Sequence, residues 1–292
     1  MLYDDAMTEL SYREFESAEA FSRSAFPYLE EREAAHNIFF GITGDVLRYP
    51  RRYPGDNLFA TVESDGDVCL ALMQTPPHNV IISRAERSDA LGIAARTLAE
   101  SQRDIPGILS APEDAKHFID AFGRASGRPM QVAARQRIYE ATEVAAPTGV
   151  TGTFRRAEQR DTGLLVDWVV SFEREAMGND GDLRESIANK VADMVRAEAV
   201  GLWSVDGQVV SMAAARGPTP HGIRVSYVYT PPASRGNGYA SACTAALTAE
   251  EFENGRDFCF LFTDLDNPTS NHIYQKIGYR PVCDMNVYQV VE

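Results

Sequence analysis

A chain of 292 residues is long enough for about two domains. Its 42 acidic against 28 basic side chains leave a net charge of −14, which excludes a broad nucleic-acid-binding face, because such a face needs clustered Lys and Arg. No stretch approaches the ~20 apolar residues of a membrane helix, the acidic start "MLYDDAMTELSYREFE" lacks the parts of a secretion signal, and Cys69, Cys243, Cys259 and Cys283 form no CxxC pair; the expectation is a cytoplasmic protein with free thiols, no metal and no membrane partner.

In chain order, the first clear pattern is "NLFATVESDGDVCLALMQTPPHNVIIS". It reads as a strand, an Asp65-Gly66 turn, a second strand, a Pro77-His78 loop and a third strand; Asp-Gly between β-rich runs is a strong hairpin signal. Around "AAPTGVTG" small residues, Pro and Gly cluster as a linker at 147–152, dividing the chain into 1–146 and 153–292. The second part repeats the first rhythm in "VGLWSVDGQVVSMAAARGPTPHGIRVSYV", with Asp206-Gly207 and Pro220-His221 at matching places.

Around that repeat, "TFRRAE" predicts a strand. "DTGLLVDWVVSFEREA", with Asp161 as N-cap, and "DLRESIANKVADMVRAEA" predict amphipathic helices. After the repeat, "GYASACTAALTAEEFEN" reads as a helix of small residues, and "FCFLFTD" as a buried strand. "NPTSNHIYQKIG" is a helix with Asn267 at the N-cap and Pro268 at the first position, and "VCDMNVYQVV" is a last strand. The order β-α-α-β-β-β-α-β-α-β predicts an α/β fold around one mixed sheet, twice over.

The least ordinary stretch is "YTPPASRGNGYAS", residues 229–241. A Walker loop fails for want of Gly-Lys-Ser/Thr. A dinucleotide fingerprint nearly fits, but Ser241 stands where the third glycine belongs and "TPPAS" separates the glycines from their strand. An anion loop led by Arg235 and a plain glycine turn both remain open from this stretch alone.

A second motif about thirty residues downstream changes the balance. "VYTPPASRGNGYASA" resembles the acyl-CoA pyrophosphate loop of the GNAT superfamily of N-acetyltransferases, and "TDLDNPTSNHIYQKIGYRPV" resembles that family's following strand and helix. The resemblance covers roughly residues 152–292 and implies two GNAT-like acyl-CoA N-acyltransferase folds in tandem, the second catalytic. It implies acetyl-CoA as cosubstrate and an amine of a small molecule or a peptide as partner, with transfer in a ternary complex. Backbone amides of Gly236, Asn237, Gly238, Tyr239 and Ala240 would then meet the pyrophosphate with Arg235 adding charge, and the small residues Ala240, Ser241 and Ala242 would let the helix sit close to the ligand. Main-chain groups of Val228 and Tyr229 would meet the pantetheine arm, and Asn267, Ser270 and Asn271 would line CoA.

Tyr274 matches the family tyrosine that assists the departing thiolate, a role its phenol suits. No general base stands out among Asp264, Asp266, Glu173, Glu175 and His221, so an acyl-CoA sensor or scaffold without turnover stays as the alternative. Aligning Pro112 with Pro268 puts Ala111, Ala115 and Phe118 opposite Asn267, Asn271 and Tyr274, and "SRAERSDALGIAA" has no R-G-x-G. The first half therefore reads as a degenerate copy, with Asn37, Tyr49 and Tyr53 as candidate acceptor contacts. The sequence is silent on oligomeric state.

Overall fold

A computed structural model of the chain describes residues 9–178, 181 and 183–291. Its contacts separate two compact units, Met1–Ile138 with Asp264–Asp266 and Val282–Glu292, and Tyr139–Thr263 with Asn267–Pro281.

The first unit contains β1 (Leu10–Glu14), α1 (Ala18–Glu30), α2 (Asn37–Arg48), β2 (Leu58–Ser64), β3 (Asp67–Gln74), β4 (Val80–Ile82), α3 (Ser88–Glu100), β5 (Gly107–Ser110), α4 (Pro112–Ser126) and most of β6 (Met130–Ala141). The second contains β7 (Thr153–Arg156), α5 (Thr162–Met177), α6 (Arg184–Arg196), β8 (Val200–Val205), β9 (Gln208–Arg216), β10 (Gly222–Tyr229), α7 (Tyr239–Glu253), β11 (Phe258–Asp264) and α8 (Pro268–Lys276), and β12 (Arg280–Val290) closes the chain. The two series are the same β-α-α-β-β-β-α-β-α-β, so the repeat read from two hairpins extends to every element.

The hairpins match in detail. Asp65 and Gly66 have φ of 53° and 93°, and Asp206 and Gly207 have 49° and 78°. Two successive left-handed residues suit the twist of a tight hairpin. Each hairpin also carries a register shift just before its turn, between Val62 and Glu63 and between Trp203 and Ser204. Period-2 alternation then sorts side chains to two faces. In the second unit Met212 and Ala214 pack with Val169 of α5 and Val191 of α6, while Ala213 and Ala215 pack with Leu247 of α7 and Ile277 at the end of α8, its C-cap. In the first unit Leu70 and Leu72 face Leu91 of α3 and Phe118 of α4, and Ala71 and Met73 face Phe21 of α1 and Phe39 of α2. No helix among the described residues is long and apolar enough to cross a membrane.

Two expectations change. The division at 147–152 gave the last strand to the second half, but Val282–Glu292 belongs with the first unit, where Asn286–Gln289 pair antiparallel with Ser110–Gly107 of β5. The bidentate contact of Arg137 with Asp284, at 2.6 and 3.1 Å, ties the same strand to β6. Asp161 occupies the N-cap position of α5 without capping it. Its carboxylate instead binds the Arg155 guanidinium at 2.7 and 2.8 Å and accepts from the Glu158 N–H at 2.8 Å, which holds its pKa below the usual carboxylate range.

Candidate functional site

The site grows from a defect in β10. That strand pairs with β9 in register through Ser226↔Ala214, then resumes at Tyr229↔Met212. Tyr227 and Val228 thus stand opposite one residue, Ala213, as a bulge. Tyr227 has φ of +50°, a left-handed conformation that bulky side chains rarely adopt. Strain of this kind persists where the surroundings enforce it, commonly at functional positions. On its other side β10 runs parallel to β11 only from Gly222↔Phe258 to Arg224↔Phe260. Beyond these three pairs the partnership ends, and Val228 lies in the part of β10 past it.

After Tyr229 the chain turns through Pro232–Ser234 and enters α7 by way of Gly236 and Gly238, with φ of 83° and 79°. Asn237 donates to the Ser234 and Arg235 carbonyls, both at 3.2 Å, which fixes the turn. Gly238 is the N-cap of α7, and no side chain caps this end. The first intrahelical bond runs from the Ala242 N–H to the Gly238 carbonyl, so the amides of Tyr239, Ala240 and Ser241 are the orphan donors of the first turn. A Cβ built on Gly236 would meet nothing within 4 Å, so the approach on that side is open. Uncapped amides, a helix's positive end and an open approach suit a phosphate group, and in this respect the residues present fit the pyrophosphate of an acyl-CoA.

Arg235 leads this loop but is already engaged. Its Nη2 lies 2.5 Å from Glu175 Oε2, and its Nε donates to the Thr230 carbonyl at 2.9 Å. Glu175 Oε1 accepts from the Tyr229 hydroxyl at 2.9 Å. The Arg235 guanidinium holds the Glu175 carboxyl below its ordinary pKa, which removes Glu175 from the candidate bases. The Tyr229 carbonyl accepts from Ser211 Oγ at 3.2 Å, and Tyr227 and Val228 are the two residues of the bulge between the Ser226 and Tyr229 pairs.

On α8, Asn267 Oδ1 accepts from the Ser270 N–H at 3.1 Å, and Asn271 Nδ2 donates to the Asn267 carbonyl at 2.8 Å. Both asparagines shape the start of the helix. Asp266 donates its N–H to Asp264 Oδ1, so these two carboxylates form a turn ahead of it. Tyr274 is buried, with its ring 6.0 Å from that of Tyr279. Burial alone pushes its phenol up to about 12, and the hydroxyl has no hydrogen bond among the described residues. It is a protonated donor awaiting an acceptor.

Sequence reasoning missed a polar group on the α5–α6 face of the bulge. The Tyr227 hydroxyl receives Lys190 Nζ at 3.2 Å and Arg216 Nη1 at 3.4 Å, and faces Glu173 Oε1 at 3.5 Å. Of the carboxylates considered, Glu173 is the one placed beside the bulge. His221 is a loop residue whose carbonyl accepts from the Asp257 N–H. The register of the hairpin around "TPHG" was the available signal for Arg216. In the first unit Asn37 is buried and donates to the Ala34 carbonyl at 2.6 Å, Tyr49 stacks under Arg52, and the Tyr53 carbonyl accepts from Asn57 Nδ2. An apolar cavity of about 160 Å³ on the flank of α7, lined by Val150, Trp203 and Ala245 among others, includes none of the groups just described.

Residues 165–279 match the Acetyltransferase (GNAT) family. No curated protein matches the chain. Among solved structures it is similar to a GCN5-related N-acetyltransferase from Sphaerobacter thermophilus, at 15% identity over 96% of this chain and 95% of that one, with a TM-score of 0.62. It is similar to an acetyltransferase of the GNAT family from Colwellia psychrerythraea, at 9% identity over 97% and 100%, TM-score 0.58. A tandem GNAT protein from the clavulanic acid biosynthesis pathway shares 14% identity over 97% and 98%, TM-score 0.54. At these identities the likeness is one of fold, and it extends over both halves of the chain.

Proposed function

The chain belongs to the GNAT superfamily and is built as two such folds in tandem; from that premise we propose that its second unit is an N-acetyltransferase, moving an acetyl group from acetyl-CoA to a primary amine of a small molecule or peptide within a ternary complex. The observation that carries this reading is the uncapped first turn of α7, entered through two left-handed glycines at the end of a bulged strand.

Bound there, acetyl-CoA would supply an activated thioester, and the residues of this chain would divide the remaining work. The amides of Tyr239, Ala240 and Ser241 bind phosphate, and the bulge leaves the Val228 N–H to polarise the thioester oxygen. Attack by the amine nitrogen on the carbonyl carbon forms the C–N bond as the C–S bond breaks. Glu173 receives the proton that the amine gives up. Tyr274 donates a hydrogen bond to the departing sulfur. Its phenol is a weaker acid than an ordinary thiol, so it stabilises the thiolate while water supplies the final proton.

Direct transfer fits the cysteines as well. All four are free, and burial raises every thiol away from the reactive thiolate form. Four free thiols also suit a reducing cytoplasm. The test is release of free thiol from acetyl-CoA across a panel of amines. CoA binding without release for any amine would replace the enzyme with an acyl-CoA sensor.

A further inference from the structure

We infer that Lys190 and Arg216 are positioning residues: together they hold Tyr227 in its left-handed conformation and so set the direction of the Val228 N–H. This goes beyond the acetyl-transfer reading and rests on it only for what that N–H does.

The inference starts from the backbone. Tyr227 has φ of +50°, where a bulky side chain crowds its own backbone and where a glycine would sit at no steric cost. No glycine stands in "IRVSYVY" to supply that freedom, so the conformation needs a hold from outside the strand. The peptide unit after Tyr227 is planar and carries both the Tyr227 carbonyl and the Val228 N–H. The dihedrals of Tyr227 therefore decide where the Val228 N–H points. An extended Tyr227 would return this stretch to the ordinary ladder, in which β10 pairs one for one with β9.

The side chain supplies the hold. The Tyr227 hydroxyl receives Lys190 Nζ from α6 at 3.2 Å and Arg216 Nη1 from the end of β9 at 3.4 Å. The same two cations lie against the ring, at 5.8 and 5.5 Å from its centroid, within reach of a cation–π attraction. Phe172 of α5 meets the ring edge-on, with centroids 5.3 Å apart. Tyr227 is buried, and polar contacts made away from bulk water are stronger for it.

The geometry links this grip to the backbone. Turning φ back to a negative value swings the whole side chain about the N–Cα bond. That swing would pull the hydroxyl and the ring from partners on three elements at once. A ring fixed at its tip and on its face thus fixes φ, and through φ the plane of the next peptide. Arg235 and the amides of α7 serve the phosphates; Lys190 and Arg216 act through Tyr227 and need touch neither cosubstrate nor acceptor.

The experiment uses the full chain and reads three quantities: thiol release from acetyl-CoA with the fastest amine of the panel, CoA affinity by calorimetry, and the Cα and Cβ chemical shifts of Tyr227, which differ between left-handed and extended backbone. Lys190→Met and Arg216→Gln should each lower kcat about tenfold, leave CoA affinity unchanged and move the Tyr227 shifts toward extended values. Tyr227→Gly and Tyr227→Ala both delete the ring, but only glycine takes a positive φ freely, so the glycine variant should turn over about tenfold faster than the alanine variant. Adding Lys190→Met to Tyr227→Gly should change kcat no further. Unmoved shifts or an unmoved kcat in both cation variants would overturn the inference, as would a loss that repeats in full on Tyr227→Gly. Should the ring-deleted chains fail to fold, the two cation variants decide alone, since Lys190 and Arg216 are only half-buried and the ring stays in place. Shifts that move while no amine releases thiol even from the parent chain would uphold the clamp and remove acetyl transfer; thiol release that is the same in parent and cation variants, with unmoved shifts, would do the reverse.

Discussion

Glu175 Oε2 lies 2.5 Å from Arg235 Nη2, and its other oxygen accepts from the Tyr229 hydroxyl at 2.9 Å. The pair couples the end of α5 to the loop that opens α7, so any phosphate bound at that loop competes with Glu175 for the guanidinium. Arg235→Ala should weaken CoA binding about tenfold, the loss of one charge-assisted contact. Glu175→Gln should tighten it by about threefold, since an exposed ion pair of this kind is worth at most ~1 kcal/mol. The double variant should behave like Arg235→Ala alone. Calorimetric titration of CoA into the four proteins checks this, and additive effects would mean that the two residues act separately.

Tyr274→Phe should lower kcat about ten- to a hundredfold and leave CoA affinity and thermal stability nearly unchanged. The hydroxyl makes no hydrogen bond among the described residues, and the equivalent helix of the first unit already buries a phenylalanine, Phe118, at the matching place. Steady-state kinetics with a melting curve decides it; a large drop in melting temperature would mark the hydroxyl as structural.

Glu173→Gln should lower kcat/KM at neutral pH by about a hundredfold. Activity should recover as pH rises toward the acceptor's own amine pKa, because an amine that arrives unprotonated needs no base. A pH profile of the variant parallel to that of the parent protein would remove Glu173 from the proton path.

CoA should bind once per chain. The first unit keeps the helix that begins at Pro112 but enters α3 at Arg87, whose guanidinium is occupied by Asp89 at 2.7 and 3.1 Å, with no glycine pair ahead of it. Its β3–β4 ladder is also short and in register, without the bulge of β10. A calorimetric stoichiometry of two would show that this unit retains a site.

Acid should weaken the first unit through His36. This buried imidazole donates from Nδ1 to the Leu29 carbonyl at 2.9 Å and accepts the Arg84 N–H at Nε2 at 3.0 Å, so both nitrogens are committed to the neutral form. Burial lowers its pKa from 6.5 to about 4. A depressed pKa means that the folded state resists a proton the unfolded chain accepts. The stabilisation is therefore full above about pH 6.5 and lost as pH falls toward 4, on the order of 3 kcal/mol. Urea unfolding at pH 7.5 and 4.5 should show this loss, and His36→Gln should flatten it.

What the sequence made legible was local. Asp65-Gly66 and Asp206-Gly207 announced their hairpins because the turn type demands those residues, and Pro112 and Pro268 marked helix starts because a first-turn proline loses no hydrogen bond. The glycines before α7 were readable for the same reason. The bulge was not, since "IRVSYVY" holds no glycine and its left-handed residue is a tyrosine kept there by tertiary contacts. Nor was the juxtaposition of Arg216 and Arg224, which exists only once the register across the Pro220-His221 loop is known. Glu175 looked like any exposed helix carboxylate until its partner sixty residues away was in place. The destination of β12 was hidden for the same reason, since pairing with β5 joins residues more than 170 apart.

That pairing bears on how the protein is made. On the ribosome most of the first unit emerges early, yet β5 waits for a neighbour encoded more than 170 residues later, Asn286–Gln289. At about 5–20 residues per second the wait is on the order of ten seconds or more. During it a strand edge stands open to the wrong partner. A gene fragment cut at the linker would inherit the same open edge permanently, so the unit that looks like a detachable relic of duplication reaches its finished sheet only when β12 has been made.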